Sequence, residues 1–109
     1  MEGNMVENMF LYPQDCINLI TQVFSKEFTN FELLKSGYYT GYWWIEYKNE
    51  KNDIIVYFNG DISGHFHVEI TISGTKYYLW QFDKNVNQAT YSCQKNILYQ
   101  LNVLNRFLL

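Results

Sequence analysis

Arginine is nearly missing from this sequence. Arg106 is the only one, and the seven lysines are scattered. A nucleic-acid binder needs a basic stripe to neutralise phosphates. None is present, and the net charge is −3, so direct DNA or RNA binding is not expected. Cysteine is scarce too, with only Cys16 and Cys93, which excludes a disulfide-stapled scaffold. Long apolar runs are missing: the longest, Ile54 to Phe58, has five residues, far short of a membrane span. The first eight residues are acidic and lack the basic start and apolar stretch of a signal peptide. These absences point to a cytoplasmic protein with both thiols reduced. The single Pro and single Ala, beside abundant Asn, Lys, Ile and Tyr, match an AT-rich, bacterial or phage coding sequence.

What is abundant is aromatic. Ten Tyr, eight Phe and three Trp make up 19% of 109 residues. That exceeds what one small core needs, so some rings are expected at the surface. With 48% apolar and 17% charged residues, the chain is no disordered segment. Its length fits one domain over 1–109, with 1–11 as a loose arm or short edge segment.

Pro13 suits a first helical position, and Asp15 complements the dipole of the first turn. Ile17, Ile20, Phe24 and Phe28 then recur at helical steps, which predicts a helix from Pro13 to about Phe28. Phe31 to Leu33 alternate briefly, as a first strand or a continued helix. Gly37 and Gly41 read as turn punctuation around Tyr38-Tyr39-Thr40, and Asn59-Gly60-Asp61-Ile62-Ser63-Gly64 reads as a further turn. Strands are expected at Tyr42–Lys48, Ile54–Phe58, Gly64–Ser73 and Thr75–Phe82. The third of these alternates most clearly: Phe66, Val68, Ile70 and Ile72 face one way, His65, His67, Glu69, Thr71 and Ser73 the other. No link between these strands can hold a crossover helix, so they join as hairpins. Asn85 with Gln88 resembles a capping box, and apolar spacing from Val86 predicts one long helix to Phe107. The expected fold is α+β: a four- to five-stranded antiparallel meander with an N-terminal and a C-terminal helix on one face, in two layers.

Two constellations bear on function. His65, His67 and Glu69 fall in a row on the polar face of one strand. Two imidazoles and a carboxylate are the ligand types of a zinc or non-haem iron site. Alternation by itself produces the same row on a solvated face. The second constellation is aromatic: Tyr42, Trp44, Tyr57, Tyr78 and Trp80 share that outer face if the last strand keeps its phase. Exposed Tyr and Trp give large contact area at low entropy cost, as binding surfaces do. The arm, the 36–41 loop or a homodimer mate are the other covers such rings have. Cys93 on a helix stripe reads as inert core. The serines lack a His–acid pair, and no glycine-rich phosphate loop precedes a helix. No cofactor is implied.

The stretch Tyr42-Trp43-Trp44-Ile45-Glu46-Tyr47-Lys48-Asn49, followed by Ile54-Ile55-Val56-Tyr57-Phe58, resembles small bacterial α+β proteins of the immunity-protein type. The likeness spans roughly residues 31–82. It implies a non-enzymatic domain that binds and blocks a cognate toxin, and it carries no functional residue over. The alternative expectation is a small-ligand or metal-binding protein that uses the His65, His67 and Glu69 face.

Overall fold

A computed structural model describes residues 6–109. The part of the expected arm before residue 6 lies outside the described residues. Helix α1 runs Pro13–Glu27, with Tyr12 as N-cap, Pro13 at the first position and Asp15 in the first turn. Five strands follow: β1 Glu32–Tyr39, β2 Tyr42–Asn49, β3 Ile54–Gly60, β4 Phe66–Ile72 and β5 Thr75–Tyr78. Two 3-10 turns, Leu79–Gln81 and Lys84–Gln88, lead to helix α2 at Gln94–Leu108. The strands form one antiparallel sheet in the order β1-β2-β3-β4-β5, a meander as expected. Two of its turns hold two residues each, Thr40-Gly41 and Ser73-Gly74, and all four have positive φ. That backbone matches the twist of the strands it joins.

Both helices cover one face of the sheet. Ile20 and Phe24 of α1 meet Ile45, Tyr47, Val56, Phe58 and Ile70 in a single core with Ile97, Leu101 and Leu104 of α2. Phe24 sits at its centre, stacked on Tyr47 with ring centroids 3.9 Å apart and on Phe28 at 4.2 Å. Each such ring, fully buried, contributes about 1.5–3 kcal/mol. The small period-two residues facing this layer are Ile and Val, and the rings fill the space between them.

Three local expectations are corrected. Gly37 belongs to β1 and Gly60 to β3, where turns were expected. Each glycine stands opposite a tryptophan in register, Gly37 with Trp44 and Gly60 with Trp43. A side chain at either position would run into the indole. The glycines are therefore places where a large ring lies on a strand, not breaks in it. The last strand stops at Tyr78 instead of Phe82, and Leu79–Gln81 turn away as a 3-10 segment.

The third correction concerns the long C-terminal helix. It begins at Gln94, and residues 84–88 form a separate 3-10 turn. Between them the backbone is taken by other partners. The Phe66 N–H donates to the Thr90 carbonyl at 2.8 Å, Ser92 N–H to Gly64 at 2.8 Å, and Leu11 N–H to Ser92 at 2.8 Å. Residues held by bridges on both sides cannot also close helical i to i−4 bonds. Asp83, rather than Asn85, caps the 3-10 turn, accepting from the Asn85 N–H at 2.9 Å. The described end of the arm is also tied here, with Phe10 bridged to Cys93.

Candidate functional site

The sheet face away from the helices carries the polar residues of each strand and part of the aromatic surplus. Register sets them in rows. One row reads Lys35, Glu46, Tyr57, Glu69, Tyr78 across all five strands. The next reads Gly37, Trp44, Asn59, His67. Within the first row and beside it, Lys35 pairs with Glu46 at 3.7 Å and Lys76 with Glu69 at 3.1 Å. Tyr42, Tyr78 and Trp80 are 48%, 40% and 47% exposed, so the face is open at those rings. Trp44 and Tyr57 are half-buried. Trp80 reaches its position from the 3-10 turn, not from a strand, and its ring lies parallel to Tyr78 with centroids 6.2 Å apart.

The three residues expected as metal ligands have different neighbours. Glu69 is engaged by Lys76. His65 lies before β4, at a bridge to Tyr91, with its Nδ1 3.0 Å from the Ser63 hydroxyl. His67 stays on the outer face, and it and Glu69 border the cavity described next. Among the described residues no three His, Cys, Asp or Glu gather in a way that could hold a metal ion.

The early end of β5 opens this cavity. β5 pairs with β4 only from Ile72 back to Glu69. The chain then swings out through residues 79–90 and returns to β4 at Phe66. Between these two attachments is a cavity of about 270 Å³. His67, Glu69, Tyr78 and Trp80 border it on the sheet side, Asn87 on the 3-10 turn, and Gln100 on α2. Gln100 is 1% exposed and sits on the apolar stripe of α2 with Ile97, Leu101 and Leu104. Its Nε2 donates to the Ala89 carbonyl at 2.6 Å. A carbonyl only accepts, so this bond fixes which way the amide points. Among the described residues the Gln100 Oε1 has no hydrogen-bond partner. Sequence reading passed over Gln100; its one signal was a polar residue at a core position of an amphipathic helix.

A second polar group lies on the loop before β4. Ser63 donates to Asp61 and also contacts His65, while the N–H groups of Ser63 and His65 point at the same Asp61 oxygen. The Ser63 hydroxyl, then the backbone donors, hold the Asp61 carboxyl below its usual pKa. A Ser, a His and an Asp are thus close, but the carboxylate bonds the serine instead of orienting the imidazole. A nucleophile–base relay needs the reverse order. The cluster closes a loop.

A third group ties the 79–93 excursion to α2. Tyr99 donates its hydroxyl to Asp83 Oδ2 at 2.8 Å, and Arg106 approaches the same oxygen at 3.3 Å. The Tyr99 hydroxyl and the Asn85 N–H lower the Asp83 pKa, with Arg106 adding to them.

No described helix is long and apolar enough to cross a membrane. Compared with family models, curated proteins and solved structures, the chain matches none.

Proposed function

We propose that this domain is a non-enzymatic protein-binding module whose contact surface is the outer sheet face, and that its partner is a protein toxin it blocks. One observation carries the reading: Tyr42, Tyr78 and Trp80 are exposed on the sheet face opposite both helices. Aromatic rings held on a rigid sheet lose little entropy on contact, which is why such rings dominate binding energy at protein interfaces. The net charge of −3 favours encounter with a basic partner.

The test uses the wild type and a Tyr42→Ser/Trp80→Ser variant as baits in extracts of the native host, with circular dichroism to show that both fold. Tyr42 and Trp80 are the rings to remove, because Trp44 covers Gly37 and its loss would disturb β1. The reading expects a protein that the wild type retains and the variant does not, and whose activity falls on addition of the domain. A partner held equally by both baits would place the interface elsewhere.

A second reading is a small-ligand site at the same edge, favoured by the cavity that His67 and Glu69 border.

A further inference from the structure

The cavity between the end of β5 and the 3-10 turn has a chemical character of its own. Gln100 lines it from α2, and the Gln100 Oε1 is an acceptor buried and unpaired among the described residues. The Glu69 carboxylate, a second acceptor, borders it. Tyr78 and Trp80 add half-exposed π surface. These features weigh against two ligand classes. An anion would face the Glu69 carboxylate, and a wholly apolar group would leave the buried amide oxygen without a donor.

We propose that the cavity receives one arginine side chain from the protein partner. This rests on the protein-binding reading above and names the residue that would anchor it. A guanidinium is planar and carries only donors, so it can serve the Gln100 Oε1 and the Glu69 carboxylate at once. Its face suits the ring of Trp80 or Tyr78. Lys76, now 3.1 Å from Glu69, has a side chain 54% exposed and is free to move toward solvent as the guanidinium arrives. Lysine fits less well, because a point charge neither stacks nor forks between two acceptors. The cavity exists because β5 is four residues long while β4 is seven. An extended β5 would cover it.

The probe is N-acetyl-arginine-N-methylamide, added to the full-length ¹⁵N-labelled chain and followed by the Gln100 side-chain amide and the Trp80 indole N–H. The matching lysine and norleucine derivatives are the comparisons. Saturable shifts of both signals at millimolar arginine probe are expected, at least fivefold weaker with lysine and absent with norleucine. Trp80→Ala, an exposed change, should weaken binding severalfold with the fold intact. Gln100→Met keeps the volume, removes the acceptor and should abolish the shift at Trp80. If that variant does not fold, Glu69→Gln serves as the second acceptor variant and should weaken the arginine response at least threefold.

No shift with any probe would mean that the cavity holds water only, and the proposal fails. Equal response to arginine and lysine would reduce it to surface charge and also overturn it. Agmatine binding far more tightly than the capped amino acid would assign the cavity to a free small molecule instead. None of these outcomes touches the Tyr42→Ser/Trp80→Ser capture result. A partner lost from that variant while every arginine probe fails would keep the binding face and discard only the anchor.

Discussion

Trp43 occupies the space that a side chain on Gly60 would need, across the register pair that joins β2 to β3. The indole is buried between the sheet and the helix layer, with its centroid 6.3 Å from that of Phe66. Gly60 has no positive φ, so its conformation does not demand glycine; the neighbouring ring does. Gly60→Ala should therefore destabilise the domain by about 1–3 kcal/mol through overpacking. Urea unfolding followed by tryptophan fluorescence measures this. An unchanged midpoint would show that Trp43 can move aside at no cost.

Phe24 joins three rings of the core, Tyr47, Phe28 and Phe58. Truncation leaves a cavity that rings on a rigid sheet cannot close. Phe24→Ala is expected to cost about 3–5 kcal/mol, enough to unfold much of a marginally stable domain at 37 °C. Thermal melting by circular dichroism checks it. A drop in Tm of only a degree or two would contradict the central place given to this ring.

Asp83 makes part of the stability depend on pH. Its carboxyl sits lower in the folded chain than in the unfolded one, where the ordinary value is about 3.9. The contribution is thus fully present above that unfolded value. It is lost as the pH falls through the lower, folded one. Asp83→Asn should lose stability at pH 7 and show a smaller further loss between pH 5 and pH 3 than the wild type. Equal acid dependence of the two proteins in urea titrations would remove the Tyr99–Asp83 contact from the account of acid unfolding.

Cys16 is fully buried at the start of α1, and burial, then the nearby Asp15 charge, pushes its thiol up to about 12. Cys93 is buried as well, and both are free thiols. Only the thiolate reacts. The native protein at pH 8 should therefore resist Ellman's reagent for many minutes and yield two thiols in denaturant. Fast modification of the native state would instead report local opening where the arm joins α1.

The sequence allowed a good deal of this to be read. Helix α1 was legible because Pro13, Asp15 and the Ile17, Ile20, Phe24 spacing agree on one element. The meander was legible because the links between strands are too short for anything else, and alternation in β4 separated its two faces. What misled were signals that depend on distant partners. Gly37 and Gly60 read as turns, because a tryptophan from the next strand is invisible in a local window. Apolar spacing ran smoothly from Val86 into α2, yet the Phe66, Gly64 and Leu11 backbones claim residues 90–92. Trp80 was placed on the outer face by a strand phase that breaks at Tyr78; it reaches that side from a 3-10 turn beside Tyr78.

Residue periodicity alone determined helix α1, the body of α2, strands β2 to β4, their order and the division of the sheet into a buried and an open face, because these follow from side chains a few positions apart. Tertiary structure decided the rest. It set His65 against Ser63 and Glu69 against Lys76, and it ended β5 early. It also placed the unpaired oxygen of Gln100 behind the gap so made. Those outcomes depend on which backbone groups pair between segments far apart in the chain, and no local pattern encodes that competition.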